Sequence, residues 1–311
     1  MSWKKVISTC LKVLLAAVLV FFIVRSVDMK PGEIWRYLLH TGPVFYTSLA
    51  LFTCFLMFQS AIWLAILNDG GRQLSMFKGL YIYNRSQFGK YIPGGFWNYA
   101  GRIVMASREG VGMAPQLSAI FYEHVLLILA AAIYSLILLL ILKVLPWYGL
   151  VLFVIAMGLV YGFYPQVSKG IARGAGWFIR KFKIKNFSAP AKLMTRKSFF
   201  LYLGYYLLSH MVMGVAFWLL IRSFDVPSVG LMYAAGTFAC AWLLGLLSPL
   251  PGGLGIREGF LVYFLSFHMD AATALHISII SRIWNILSEA LFFAVMQAVH
   301  FTRKRMKVYE A

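Results

Sequence analysis

Acidic residues are scarce in this chain: 10 Asp and Glu stand against 29 Lys and Arg in 311 residues, a net charge of +19. Charge of either sign is also scarce, at 13% of residues, beside 61% hydrophobic. Soluble domains carry about 25% charged residues, so water is not the main solvent of this protein. Cysteine is nearly absent, and Cys10, Cys54 and Cys240 lie far apart without CxxC spacing, which excludes a disulfide framework or a thiolate metal site. Asp28, Asp69, Asp225 and Asp270 stand singly, with no DxD or DD pair, which argues against metal-assisted transfer chemistry. His210, His268, His276 and His300 are scattered without ligand spacing, so neither a metal nor a cofactor is expected. The stretch GGLGIREG lacks GxGxxG spacing, and no GxxxxGK[ST] occurs, which leaves both nucleotide-binding readings poor.

Long apolar runs are what the chain does have. Val13–Val27, Val44–Leu67, Leu117–Leu142, Tyr148–Tyr164, Phe199–Ile221 and Ala271–Val299 each approach the roughly 20 residues that a helix needs to cross hydrocarbon. The expectation is an all-α, polytopic membrane helical bundle with about six full spans. Lys4 and Lys5 precede the first run in the manner of a signal peptide, but no small-x-small cleavage site follows, so the run reads as an uncleaved first helix. Nine basic residues and no acid fill one interval: Lys169, Arg173, Arg180, Lys181, Lys183, Lys185, Lys192, Arg196 and Lys197. Basic loops stay on the cytoplasmic side and attract anionic lipid headgroups, which explains the charge without nucleic acid as a partner.

Two stretches resemble one another: GKYIPGGFWNYAGR, residues 89–102, and LLSPLPGGLGIREG, residues 246–259. Met113–Glu123 laid over Ala272–Arg282 keeps one offset of 159 residues, which also brings the two Pro-Gly-Gly triplets within a residue of each other. The chain is therefore read as one integral membrane domain, residues 1–311. A first half, 1–165, carries a hairpin near 78–107, a basic cytoplasmic loop covers 166–198, and a second half, 199–302, carries a hairpin near 229–268. If the first Pro-Gly-Gly segment crossed once, the basic loop would face outward, against its charge. If both segments enter and leave on one face, the basic loop and Arg303, Lys304, Arg305 and Lys307 all lie inside. Two oppositely oriented re-entrant helical hairpins in an inverted repeat follow, with both termini cytoplasmic, a transporter plan with its site near the midplane.

Proline removes a backbone donor and glycine permits otherwise forbidden dihedrals, so Pro-Gly-Gly ends one helix and lets another begin. The new helix start offers unpaired N–H groups and a positive dipole end, for which a phosphate is a natural partner. Charge inside a membrane is expensive and marks a pathway or a site. Around the first break lie Arg85, Lys90, Pro93, Gly94, Gly95 and Arg102, with Glu123 and His124 on the helix that follows. Around the second lie Pro251, Gly252, Gly253, Gly255, Arg257 and Glu258, while Arg282, Asn285 and Glu289 share one face of the final helix. These residues suit an anionic headgroup. The competing reading is that the glycines only permit close packing and the Arg/Glu pairs only neutralise each other; Tyr and Trp read mainly as interfacial anchors or core.

GKYIPGGFWNYAGR with FYEH, and LLSPLPGGLGIREG with SRIWN, resemble the transmembrane region of the lysylphosphatidylglycerol synthases and of the stand-alone membrane proteins that share it, over roughly Lys4 to Arg303. In multidomain members that region is assigned to flipping aminoacylated phosphatidylglycerol, while a soluble domain charges the lipid. Only Thr302–Ala311 follow the last apolar run, so synthase activity is not carried over by the resemblance. The resemblance implies a substrate role for Pro93, Gly94, Gly95, Arg102, Pro251, Gly252, Gly253, Gly255, Arg257, Glu258 and Arg282. Glu123-His124 departs from the acid and arginine that the family pattern leads one to expect. The expected function is a flippase or translocase of the bacterial inner membrane for a phosphate-bearing anionic or zwitterionic phospholipid or a polyprenyl-phosphate carrier. A membrane-embedded glycosyl- or aminoacyl-type transferase and an accessory subunit of an envelope-lipid enzyme are the alternatives, and a homodimer is left open.

Overall fold

A backbone in hydrocarbon can satisfy its polar groups only as a helix or a closed barrel, and every element among the described residues is helical. The computed structural model describes residues 41–91, 96–170, 173, 193–226, 228–246, 253 and 255–309. The expected first span and its flanking lysines, both Pro-Gly-Gly triplets except Gly253, and the basic residues 180–192 lie outside them.

The helices in order are α1 (Pro43–Leu67), α2 (Met76–Gln87) with a 3-10 turn at Phe88–Tyr91, α3 (Trp97–Arg108), α4 (Met113–Ile141) and α5 (Tyr148–Gly162). They continue with α6 (Tyr164–Gly170), α7 (Arg196–Arg222), α8 (Leu231–Leu246), α9 (Ile256–Leu265) and α10 (Ala271–Tyr309). Local chemistry fixes several starts. Pro43 occupies the first turn of α1, where its missing N–H costs nothing. The Thr195 hydroxyl accepts the Ser198 N–H at 3.2 Å to cap α7, and Asp270 accepts the Thr273 N–H at 2.9 Å to cap α10.

Among the described residues α1, α4, α7 and α10 are long and apolar enough to cross a membrane. The run at Tyr148–Tyr164, expected as a full span, differs. Helix α5 stops at Gly162 after 15 residues and the chain bends by 88° into α6. Phe163 leaves helical dihedrals at the bend, and Pro165, with no N–H to carry on the ladder of α5, sits in the first turn of α6. If the bent pair counts as one span, five candidate spans result.

One order of elements occurs twice: a long helix, two short ones around a break, and another long helix. In α1–α4 the short helices are α2 and α3, at 12 residues each; in α7–α10 they are α8 and α9, at 16 and 10. At 1.5 Å per residue none of the four reaches the roughly 30 Å of a hydrocarbon core. The packing is exchanged between the halves. The first short helix of each lies on the long helix of the other, α2 on α10 and α8 on α4, while the second, α3 or α9, stays with its own α4 or α10. Helices α1 and α7 pack along one another and close the centre, where Phe52, Phe217, Phe238 and Trp284 are buried together.

Each break is held shut by a glycine. A Cβ on Gly89 would lie 2.6 Å from the backbone nitrogen of Asn98, in the first turn of α3. A Cβ on Gly253 would lie 2.8 Å from the Cα of Gly245 in the last turn of α8, and Gly253 also has φ +68°. Neither approach is open to a larger residue.

Candidate functional site

Helix α3 carries Arg102 inward, where its Nη1 donates to Glu123 Oε2 of α4 at 2.6 Å; the two are 1% and 3% exposed. The other carboxylate oxygen, Oε1, accepts the Tyr83 hydroxyl of α2 at 3.0 Å. The guanidinium lies 4.0 Å from the ring centre of Tyr83 and 4.9 Å from that of Trp63. Full burial, an ion pair and an aromatic cage together leave this arginine no route to a headgroup from the described surface. Beside it the Tyr99 hydroxyl meets His124 Nε2 at 2.5 Å, and His124 Nδ1 meets the Ile120 carbonyl at 2.7 Å.

The second cluster joins the halves. Helix α9 begins at Ile256 with Gly255, φ +80°, as its cap; glycine has no side chain to offer, and the carboxylate of Glu258 instead accepts the Gly255 N–H at 2.8 Å. The second oxygen of Glu258 accepts from Arg282 Nη1 of α10 in an ion pair. Two turns along α10, Glu289 is ion-paired with Lys90 and accepts the Tyr91 hydroxyl at 2.8 Å. Lys90 and Tyr91 belong to the turn that ends the first short helix of the other half. A crevice between Asn84, Gln87, Glu289 and Phe292 opens beside this junction, and Asn84 Oδ1 is buried without a partner among the described residues.

The ion pair between short and long helix is thus repeated with its charges exchanged: arginine to glutamate in α3–α4, glutamate to arginine in α9–α10. Among the described residues of this cluster one cation is left over. Arg257, 9% exposed, has Nε and Nη2 buried with no hydrogen-bond partner among the described residues. Its guanidinium rests 4.7 Å from the ring centre of Phe238, and the charged or ionisable groups acting on it are Glu258, Arg282, Tyr91 and Glu289. A cation–π contact contributes roughly 0.5–2 kcal/mol, less than the several kcal/mol that an uncompensated buried ion costs.

Of the residues singled out in the sequence, Lys90, Arg257, Glu258, Arg282 and Glu289 come together, with Asn285 half-buried on the same helix one turn from Arg282 and from Glu289. Arg102 and Glu123 form the sealed pair. Arg85 points elsewhere: it is exposed and donates to the Tyr81 hydroxyl at 2.9 Å. Pro93, Gly94, Gly95, Pro251 and Gly252 lie outside the described residues, while Gly253 and Gly255 shape the second break. Sequence reasoning missed Tyr83, Tyr91, Trp63, the closing glycine Gly89 and Gly245, against which Gly253 packs. Tyr91 was within reach, being the hydroxyl-bearing neighbour of Lys90 just before the first triplet. No group of three His, Cys, Asp or Glu able to hold a metal ion occurs among the described residues.

Four spans among the described residues, built around two breaks, make this a multi-pass membrane protein. No curated protein matches the chain significantly. The family model described as the lysylphosphatidylglycerol synthase TM region matches residues 9–290, nearly the whole sequence, and the chain therefore belongs to that family of membrane domains.

Proposed function

We propose that this protein moves a phosphate-bearing amphiphile, a phospholipid or a polyprenyl-phosphate carrier, from one leaflet of the bacterial inner membrane to the other. The observation that carries this reading is Arg257: a buried guanidinium with two unpartnered donors, beside the start of a helix, where both halves of the chain meet. The nearby carboxylates of Glu258 and Glu289 act on it without being bonded to it among the described residues, so the cost of its burial is only partly offset. A phosphate is bound well by a planar donor fork and by a helix N-terminus alike. The tails stay in lipid while the headgroup passes between the breaks.

In this reading the two broken helix pairs dip into the membrane from opposite faces, both chain termini are cytoplasmic, and the link from Lys90 and Tyr91 to Glu289 closes one side of the passage. Breaking it opens that side. A transferase acting at the breaks is supported less well, because it needs a carboxylate free to act as base, and there Glu123, Glu258 and Glu289 each have both oxygens in hydrogen bonds.

Purified protein in liposomes containing a headgroup-labelled phospholipid provides the test. Protein-dependent exposure of inner-leaflet label to an impermeant quencher, with no new lipid species by mass spectrometry, is the expected result. Label that moves no faster than in protein-free vesicles overturns the proposal, and a new lipid product assigns the transferase activity instead.

A further inference from the structure

The pairing within the site is uneven. Among the described residues, Lys90, Arg102, Arg257 and Arg282 face Glu123, Glu258 and Glu289, so one positive charge is in surplus. Every one of those carboxylates uses both oxygens. Glu123 accepts from Arg102 and Tyr83, Glu258 from Arg282 and the Gly255 N–H, and Glu289 from Lys90 and Tyr91. Arg257 is the reverse case, more than nine-tenths buried with Nε and Nη2 unpartnered among the described residues.

An ammonium entering this site would find, among the described residues around the breaks, only carboxylates that are each already paired with a cation. It would share those carboxylates with a lysine or arginine already in place, against the field of Arg257, and like charges at close quarters in a low-dielectric interior repel strongly. A phosphate would meet the open donors of Arg257 in the first turn of the ten-residue helix α9, whose Gly255 N–H is already taken by Glu258. We infer that the site takes a headgroup of net negative charge, a phosphate ester without an amine, and rejects a headgroup carrying a cationic aminoacyl ester. This rests on the lipid reading above but concerns binding alone. The source of the phosphate is taken to be a lipid rather than the free ion, because Arg257 lies on a helix packed between the apolar helix α8, which carries the core residue Phe238, and the long apolar helix α10.

The full chain in detergent is melted alone and with short-chain phosphatidylglycerol, its lysyl ester, or inorganic phosphate, for the wild type, Arg257→Gln and Arg257→Lys. Without additive, Arg257→Gln is expected to melt no lower than the wild type, since it removes an unpaired buried charge, and this establishes that the variant folds. Phosphatidylglycerol is expected to raise the melting temperature of the wild type, to raise that of Arg257→Lys less, and to leave Arg257→Gln unchanged, while the lysyl ester shifts none of them. An equal or larger shift with the lysyl ester overturns the inference, as does a phosphatidylglycerol shift that survives undiminished in Arg257→Gln. A shift by inorganic phosphate equal to that of the lipid, and lost in Arg257→Gln, overturns the lipid as its source. Binding without transport in liposomes would sink the translocase and leave this selectivity standing; transport of both charged lipids at one rate would do the opposite.

Discussion

Arg102 and Glu123 form an ion pair of 2.6 Å with almost no exposure, and the guanidinium is enclosed by Tyr83 and Trp63. Removing one member of such a pair strands the other. Glu123→Gln is expected to cost ~3–5 kcal/mol of stability, while Arg102→Met with Glu123→Met together should recover most of it, because the sealed site then holds no charge. Thermal unfolding in detergent measures both. A single variant as stable as the wild type would mean that the pair is wetter than its burial indicates.

Lys90 and Tyr91 tie the first broken pair to Glu289 on α10. Lys90 is about a third exposed, so its share is at most ~1 kcal/mol, whereas the hydrogen bond from Tyr91 to the carboxylate contributes about 1.5–3 kcal/mol. Glu289→Ala should therefore loosen the turn at Phe88–Tyr91 without unfolding the bundle. Hydrogen exchange is expected to rise at those amides and stay unchanged in α4 and α7; unaltered exchange at the turn would show that something else holds it.

The closing glycines make a steric prediction. Gly89→Ala places a Cβ 2.6 Å from the Asn98 nitrogen, and Gly253→Ala adds the strain of φ +68° to a 2.8 Å contact with Gly245. Each should cost ~1–3 kcal/mol through forced backbone shifts. Gly204→Ala, in α7 with nothing within 4 Å, is the control and should be neutral or slightly stabilising. Melting temperatures of the three variants decide the matter, and a neutral Gly89→Ala would place α3 further from the turn at Phe88–Tyr91.

A pH effect is expected outside the spans. The Thr273 N–H bound to Asp270 holds that carboxyl below the usual carboxylate range. Its charged form is favoured in the folded chain, so the stabilisation is complete above the unfolded value of about 4 and fades as pH falls through the lower folded value. Asp270→Asn keeps an acceptor at the cap but cannot titrate. After correction for intrinsic rates, exchange at the start of α10 should rise in acid for the wild type and stay flat for the variant. Parallel profiles would assign the effect elsewhere.

Much of this architecture is legible in the sequence, because apolar runs near 20 residues and Pro-Gly-Gly triplets act locally. The triplets mark where α2 with its 3-10 turn gives way to α3, and where α8 gives way to α9. Partner choice acts at long range and is not legible. Arg102 and Glu123 were visible as charges near a break, but only their positions on α3 and α4 show that each satisfies the other. Lys90 and Glu289, 199 residues apart, meet because α2 crosses to the long helix of the other half. The aromatic cage went unread because Tyr and Trp in a membrane chain serve mostly at interfaces. The short α5 is not legible because apolar composition alone does not register that Pro165 lacks the N–H that would continue its hydrogen-bond ladder.

The account depends on Arg257 being the group that meets the headgroup phosphate. The most direct measurement is the rate at which labelled phosphatidylglycerol crosses between leaflets of liposomes containing Arg257→Ala, at the same protein density and melting temperature as the wild type. The account predicts a rate indistinguishable from that of protein-free vesicles. A rate equal to that of the wild type would contradict it.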